Sequence, residues 1–188
     1  VFSLSKAMVG RGGVIVGSAR FVEYFRYESR QSIFSSAIFP NEVARFEATL
    51  ALVRGEVHRR ARIAGLSERL RRGLLQLGYD VSCSESQIIP LIAGPESETA
   101  RLRDALEAHG VIGSVFCAPA TPRNRSLVRL CVHNGLDNAD IDHIIEVCLR
   151  IRDQVQPDRW PTRPSQSKYW AAVQTMGNRI PSSVEKKL

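Results

Sequence analysis

The sequence lacks any long apolar run. Its longest apolar stretches, such as residues 14–16 and 88–93, have the length of a strand, whereas a helix that crosses a membrane needs about 18 consecutive apolar residues. Hydrophobic residues make up 44% of the 188-residue chain and charged residues 24%. This composition excludes collagen-like, coiled-coil and disordered proteins, and it predicts a soluble globular chain that is long enough for one sizeable core.

Cysteine and histidine are also scarce, with four of each. No CxxC pair and no cluster with the spacing of zinc ligands occurs among Cys83, Cys117, Cys131 and Cys148. The pattern predicts buried thiols in a reducing compartment, the cytoplasm, and no metal site. No succession of residues typical of a secretory signal is visible. Because Val1 already opens an apolar, strand-like stretch, we expect this chain to be a piece of a longer protein.

Basic residues outnumber acidic ones, 26 to 19, yet only four of the 26 are lysines. A net charge of +7 is compatible with nucleic acid, an anionic membrane surface or phosphate-bearing ligands as partners, and more simply with a solvated basic surface. Lys6 is the only lysine in residues 1–167. Arginine can replace lysine for surface charge, but it cannot lose its proton and form an imine. The exception at position 6 therefore indicates that an amine is needed there.

The first part of the chain predicts a strand, a tight glycine turn, a second strand and then helices. The strands lie within residues 1–18 and are apolar enough to be buried. Ser18 is the expected N-cap of a helix that reaches about Arg30. Asn41 is the expected cap of a long helix to Leu77, whose apolar positions repeat every three to four residues. Its arginines lie mostly off that stripe, which favours a solvated face over a nucleic-acid interface.

After Gly78 the pattern changes to a small α+β layer with helices on one face of a sheet. Pro90 lies within an apolar run and favours an edge strand or a bulge. We expect strands at 79–83, 88–93, 111–117 and 127–132, and helices at 96–109 and 138–152. The proline-rich residues 153–188 predict a tail that lies on the surface or is partly disordered.

The segment Ser3-Leu4-Ser5-Lys6-Ala7 combines residues that suit covalent chemistry. A lysine at the end of a buried strand lies in a region of low dielectric constant, which disfavours the ammonium form and leaves the amine nucleophilic. Ser3 supplies a hydroxyl, and Gly10, Gly12 and Gly13 let the backbone approach a ligand closely. An amine, a hydroxyl and a glycine-rich turn suit an aldehyde cofactor with a phosphate group, pyridoxal phosphate.

Residues 1–18, VFSLSKAMVGRGGVIVGS, resemble the lysine segment of the α-oxoamine synthase family, pyridoxal-phosphate enzymes of fold type I related to class II aminotransferases. In that family Ser/Thr-x-x-Lys-Ala is followed by Gly-Gly-x-Ile-x-Gly-Ser. Three further segments match in the same order: the hydroxyl-bearing loop 34–40, the strand 86–94 with Ser-x-Ile-x-Pro-x-x-x-Gly, and the arginine strand with a following Asp-Ile-Asp in 129–142. Residues 115–122 look most like the branch that makes α-hydroxyketone or aminoketone quorum-sensing signals.

The resemblance implies an α/β protein of the PLP-dependent transferase fold type I. Its parts would be the end of the large, PLP-binding domain at 1–40, a long connecting helix at 41–78, a small C-terminal α+β domain at 79–152 and the tail at 153–188. Family chains are longer, and their first half supplies the ring that stacks on the cofactor, the aspartate at its pyridine nitrogen and much of the phosphate cradle. We therefore expect this chain alone to be a poor or inactive enzyme. Val9 departs from the small residue that is usual in the family.

The resemblance also implies roles for individual residues. Lys6 would be the covalent anchor of pyridoxal phosphate and the base that moves the Cα proton of the substrate. Ser3 would bind the cofactor phosphate, and Ser36 would reach the phosphate of the neighbouring subunit. Arg129 would clamp the amino-acid carboxylate, although a surface arginine on a strand is the alternative. His133 would line the substrate pocket or be a packed strand histidine.

The activity that the resemblance implies is the condensation of an amino acid or related amine with an acyl-CoA to an α-aminoketone, for autoinducer synthesis. It also implies a cytoplasmic homodimer with a shared active site and neither nucleic acid nor membrane as partner. One alternative is an aminotransferase on the same fold, which uses a keto acid and no CoA. The other is an inactive basic binding module.

Overall fold

A computed structural model of the chain describes residues 1–34 and 38–161. The chain divides into two compact units, Val1–Arg59 and Arg60–Leu188. None of the described helices combines the length with the apolar character that crossing a membrane requires. The predicted division into domains at residues 40, 78 and 152 stays a prediction.

The first unit opens with a short antiparallel hairpin, and helices follow it. Its elements are β1 (Phe2–Ser3), β2 (Gly13–Val14), α1 (Ala19–Glu28), α2 (Arg30–Phe34) and α3 (Pro40–Gly55). In the hairpin, Phe2 lies opposite Val14. The predicted N-cap at Ser18 is confirmed, because its Oγ accepts the N–H of Phe21 at 3.3 Å.

The apolar strands of the hairpin are exposed, so the predicted burial is not found among the described residues. The exposed fractions are 63% for Phe2, 38% for Val14 and 69% for Val16. Each strand is only two residues long, and neither pairs with a third strand in the described part of the chain. A two-stranded hairpin by itself leaves its side chains uncovered.

Two helix boundaries differ from the expectations, and the long connecting helix is two helices. The first helix ends at Glu28 because Ser29 adopts an extended conformation. Asn41 is not a cap: α3 begins at Pro40, whose fixed φ suits the first turn of a helix. Glu56 leaves the helical conformation, with φ −102° and ψ 56°, and thereby separates α3 from α4 (Val57–Gln76).

The second unit is a three-stranded antiparallel sheet with helices. After α4 its elements are β3 (Ile88–Gly94), α5 (Glu96–Glu107), β4 (Ser114–Phe116), β5 (Ser126–Cys131) and α6 (Asn138–Val155). The strand order is β3-β5-β4, so β5 is central. Pro90 lies on β3, an edge strand, as predicted, where its missing N–H costs no ladder hydrogen bond. The expected strands and helices after residue 85 all appear, although β4 is shorter than predicted.

One hydrophobic core fills this unit. Side chains from α4, the sheet, α5 and α6 meet in it, and several are fully buried, among them Leu70, Leu102, Val128 and Ile141. A capping box begins α6: Asp137 accepts the N–H of Asp140, and the Asp140 carboxylate accepts the N–H of Asp137. Both backbone donors are satisfied, which fixes where the helix starts.

Residues 79–83 are buried in part but do not form the predicted strand. The Tyr79 N–H donates to Leu74 O and the Val81 N–H donates to Tyr79 O, both at 3.0 Å. These bonds end α4 and form a turn in place of a strand. Beyond α6, a short 3-10 turn covers Pro157–Arg159. Of the predicted tail, residues 162–188 lie outside the described residues.

Candidate active site

Lys6 lies on the turn that joins β1 to β2. The Val9 N–H donates to the Lys6 carbonyl at 3.0 Å, and the Leu4 N–H donates to Gly12 O at 3.0 Å. These two hydrogen bonds close the turn on which Lys6 lies. Lys6 itself is exposed, so the expected desolvation of its amine is not found in the described residues. Its side chain makes no hydrogen bond or ion pair within that part of the chain, and the amine is therefore available to a ligand.

Two hydroxyls lie beside this turn. Ser3 Oγ and Ser5 Oγ are 2.8 Å apart, and the Ser5 N–H donates to Ser3 Oγ at 3.3 Å. Both residues are exposed, and they lie within three positions of Lys6. The structure therefore places the predicted anchor and the predicted phosphate ligand on one small, accessible hairpin.

The glycine-rich turn is shaped by close packing as well as by backbone freedom. A Cβ at Gly10 would come within 2.3 Å of the Phe46 ring, so a larger residue there would have to displace that ring. Val9 adopts a φ of 51°, in the left-handed region. A β-branched residue is strained in that conformation. The departure from the family pattern at position 9 thus has a structural cost.

Ser36 lies outside the described residues, so its predicted contact with a neighbouring phosphate stays a prediction. The residues on either side of the gap, Phe34 and Ile38, are both exposed.

Arg129 lies in the middle of β5, between its cross-strand neighbours Pro90 on β3 and Ser114 on β4. Burial alternates along this strand, and Arg129 is on the face opposite the core. Its guanidinium carbon lies 4.6 Å from the centre of the Phe116 ring. The Arg129 Nε atom is buried and has no hydrogen-bond partner among the described residues. A buried donor without an acceptor is costly, and a carboxylate is the acceptor that matches a guanidinium.

His133 follows β5 and lies at a different place from Arg129. Its Nδ1 accepts the N–H of Gly135 at 3.1 Å, which leaves Nε2 as the ring donor. His133 lines a cavity of about 200 Å³ together with Cys131, Asp140 and His143, whereas Arg129 does not line it. This cavity therefore does not bring the two predicted substrate residues together.

The arginines of α4 are largely engaged within the protein. Arg69 donates to both oxygens of Asp142, at 2.7 to 2.9 Å. Arg71 donates to the Ser86 carbonyl, and with Arg72 it lowers the pKa of Glu68. In the described residues, no group of three or more acidic, histidine or cysteine side chains is arranged to hold a metal ion.

Sequence reasoning did not single out Phe116 as a partner of Arg129. The only signal was that both positions lie on predicted strands. Which residues of two strands share a face and lie side by side depends on the register, which a single sequence does not state.

Comparison with known proteins identifies the family. A family model described as aminotransferase class I and II matches residues 1–147. The CAI-1 autoinducer synthase of Vibrio campbellii is 37% identical over 146 residues, which cover 78% of this chain and 37% of that protein. An 8-amino-7-oxononanoate synthase of Anaeromyxobacter dehalogenans is 30% identical over 159 residues, 85% of this chain and 40% of that protein. The chain thus spans well under half the length of these relatives.

Two solved structures show the same fold. A structure described as SPT with PLP internal aldimine matches with a TM-score of 0.74 and 22% identity, over 82% of this chain and 39% of that chain. The 8-amino-7-oxononanoate synthase of Francisella tularensis matches with a TM-score of 0.70 and 21% identity, over 81% of this chain and 45% of that chain. These likenesses confirm the predicted PLP-dependent transferase fold type I.

The relatives also bear on the predicted family and cofactor. The resemblance to α-oxoamine synthases is confirmed by the relatives that match. The predicted cofactor agrees with the pyridoxal phosphate of the solved structure. With 147 of its 188 residues matched by the family model, the chain belongs to the aminotransferase class I and II family.

Proposed function

We propose that this chain is part of a pyridoxal-phosphate-dependent acyltransferase of the α-oxoamine synthase type. The observation that carries the proposal is the family match over residues 1–147, which includes the lysine segment. The residues of the hairpin fit the cofactor, because the Lys6 amine has no partner among the described residues and the Ser3 and Ser5 hydroxyls belong to residues within three positions of it. When bound, pyridoxal phosphate supplies an electron sink for the negative charge that develops at the substrate Cα.

In this proposal Lys6 does two things in turn. Its amine would hold the cofactor covalently, and in its free form it would move the proton at the substrate Cα. Ser3 donates its hydroxyl to the cofactor phosphate, a role supported by its position on the accessible face of the hairpin. Both roles need the turn between β1 and β2 to keep the two side chains on one surface.

Arg129 is the proposed clamp for the carboxylate of the amino substrate. Its support is local: the guanidinium lies outside the core, and the buried Nε has no acceptor in the described residues. A carboxylate can pair with the guanidinium through its two terminal nitrogens, and this bidentate pair would fix the orientation of the substrate. His133 is proposed to contact a different part of the substrate from Arg129, because Arg129 does not line the cavity that His133 shares with Cys131.

The finer features of the proposal come from the relatives. The proposed acyl donor is an acyl-CoA, whose phosphates suit the net charge of +7. The proposed product is an α-aminoketone for autoinducer synthesis, supported by the 37% identity to the CAI-1 autoinducer synthase. The proposed location is the cytoplasm, which suits the free thiols of all four cysteines.

A homodimer with a shared active site is the proposed assembly. Its support is the exposed apolar surface of the first unit, where Tyr24, Tyr27 and Phe39 are 62 to 74% exposed. Large apolar side chains that stay this exposed are candidates for burial against another polypeptide surface. In such a dimer Ser36 would reach the cofactor phosphate of the partner.

The test supplies the intact protein with an amino acid and either an acyl-CoA or a keto acid. We expect free thiol to be released only when the amine and the acyl-CoA are both present. The description of the family as aminotransferases favours the second candidate, transfer of the amino group to the keto acid. Amino transfer without thiol release would replace the proposal by that candidate.

A further inference from the structure

We propose that Phe116 is a positioning residue for Arg129, which it holds ready for the substrate carboxylate without occupying any of its hydrogen-bond donors. The inference rests on the role proposed above for Arg129. It concerns a residue for which neither the sequence nor the comparisons supply a role.

The register of the sheet brings the two side chains together. Ser114 lies opposite Arg129, and Phe116 lies opposite Leu127. Phe116 and Arg129 are therefore diagonal neighbours on the same face of β4 and β5, a separation that long and aromatic side chains can bridge. The 4.6 Å between the guanidinium carbon and the ring centre is within the roughly 6 Å range of a cation–π interaction.

The way in which Arg129 is held differs from that of other arginines in the same unit. Arg69 is held by the Asp142 carboxylate, and Arg152 by the Leu77 carbonyl and the Asp158 carboxylate. Those partners consume N–H donors, and a carboxylate partner would also compete with a substrate carboxylate. The face of an aromatic ring attracts the cation and accepts none of its in-plane hydrogen bonds.

The lack of hydrogen bonds to the guanidinium agrees with a ring that positions Arg129 and a substrate carboxylate that binds it. Arg129 makes no hydrogen bond or ion pair within the described residues, and its Nε is buried. An arginine has several rotatable bonds, so an unheld side chain would lose rotamer freedom when it binds a ligand. A ring that already restricts the guanidinium removes part of that cost, which is the usual benefit of preorganisation.

The experiment measures steady-state kinetics of the intact enzyme with Phe116→Leu, Phe116→Tyr and Arg129→Gln. We expect Phe116→Leu to raise KM for the amino substrate about 3- to 30-fold, the range that corresponds to a cation–π interaction. KM for the acyl donor and kcat should change by less than about two-fold, because the ring acts only on the carboxylate clamp. Phe116→Tyr should retain the wild-type KM. Val115→Ala, on the same strand but the other face, is the matched control and should leave both constants unchanged.

A double-mutant cycle separates this inference from the proposed function. If Phe116 acts through Arg129, Phe116→Leu should add nothing to the KM of the Arg129→Gln enzyme. An equal increase in both backgrounds would overturn the inference. If Arg129→Gln raises KM and Phe116→Leu does not, the inference fails while the clamp stands. If Arg129→Gln leaves KM unchanged, the clamp itself fails.

Fluorinated phenylalanines at position 116 test the same point with little change of shape. Fluorine withdraws negative charge from the ring face, so KM for the amino substrate should rise with each added fluorine. Melting temperatures of these proteins verify that folding is unaffected. A KM that is independent of fluorine number would show that Phe116 only fills space, and would overturn the inference even if Phe116→Leu does not fold.

Discussion

The two units use apolar side chains in opposite ways. In Arg60–Leu188, leucine, isoleucine and valine from three helices and the sheet form one continuous buried cluster. In Val1–Arg59, Ser29 is the only buried residue among those whose burial is described, and large aromatic side chains such as Tyr27 and Phe39 are exposed. One unit therefore has a core of its own, and the other has apolar surface without one.

The two proposed functional residues are therefore divided between the unit without a core and the unit that has one. Lys6, the proposed anchor of the cofactor, lies on an exposed hairpin of two-residue strands. Arg129 lies on the central strand of a sheet whose other face is packed against the core. A residue on such a sheet is held in place by the packed core. The position of the hairpin depends instead on the surfaces that pack against it. The comparison makes predictions for each unit.

The largest expected effect is on the core of the second unit. Leu70→Ala removes a fully buried side chain and should lower the free energy of unfolding by about 2–5 kcal/mol. Leu50→Ala, the matched change in α3 at a residue that is 38% exposed, should cost less than about 1 kcal/mol. Urea unfolding of the 188-residue chain measures both, and equal costs would remove the contrast between the units.

Alkaline pH should weaken the same core, because it buries two weak acids. Burial raises the pKa of the Cys148 thiol to about 12, and burial followed by the proximity of Cys148 raises the pKa of the Tyr79 phenol. The unfolded chain loses these protons first, near pH 8.5 for cysteine and about 10 for tyrosine. The contribution of these two groups to the free energy of unfolding is therefore complete below about pH 8.5. Above that pH it falls by up to about 1.4 kcal/mol per pH unit for each group.

Urea midpoints at a series of pH values test this sign. The slope above about pH 9 should be smaller in Cys148→Ala, which removes the thiol, and in Tyr79→Phe, which removes the phenol. Tyr79→Phe also deletes the 2.8 Å hydrogen bond to the Cys148 carbonyl, so it should be less stable at neutral pH by about 1 kcal/mol. Stability that stays constant as pH rises through this range would contradict the prediction.

The smallest effect compares two helix caps. Asp137→Ala removes the capping box of α6, which packs on the core, and should cost about 1 kcal/mol. Asp137→Asn keeps an acceptor and should restore most of it. Ser18→Ala removes the cap of α1, a helix that buries no residue, and should leave the main unfolding transition where it is. A measurable shift with Ser18→Ala would mean that α1 unfolds together with the core.

The helices and strands that the sequence predicts best are those whose apolar residues recur at regular spacing. The helices α5 and α6 and the strands β3 and β5 were predicted because their apolar residues recur at the spacing of a face that packs on a core. Pro90 was correctly placed on an edge because proline cannot donate a hydrogen bond to a ladder. At Tyr79 and Val81 the same reasoning failed, since a buried turn and a short buried strand have the same apolar pattern.

The candidate site was less predictable for a different reason. The pattern around Lys6 shows which residues are apolar but not which surface covers them, and the described residues do not provide the cover that the prediction of a buried hairpin requires. The placement of Phe116 beside Arg129 depends on strand register, and the separation of His133 from Arg129 depends on where β5 ends. These are tertiary facts that no local spacing contains.

The attachment point of the cofactor tests the central claim most directly. The intact protein is reduced with borohydride, which fixes the cofactor to the amine that holds it, and mass spectrometry of its peptides locates the modified lysine. This chain offers only Lys6, Lys168, Lys186 and Lys187. We expect a cofactor-derived mass on the Lys6 peptide and its loss in Lys6→Arg. A cofactor attached to another lysine, or full activity in Lys6→Ala, would contradict it.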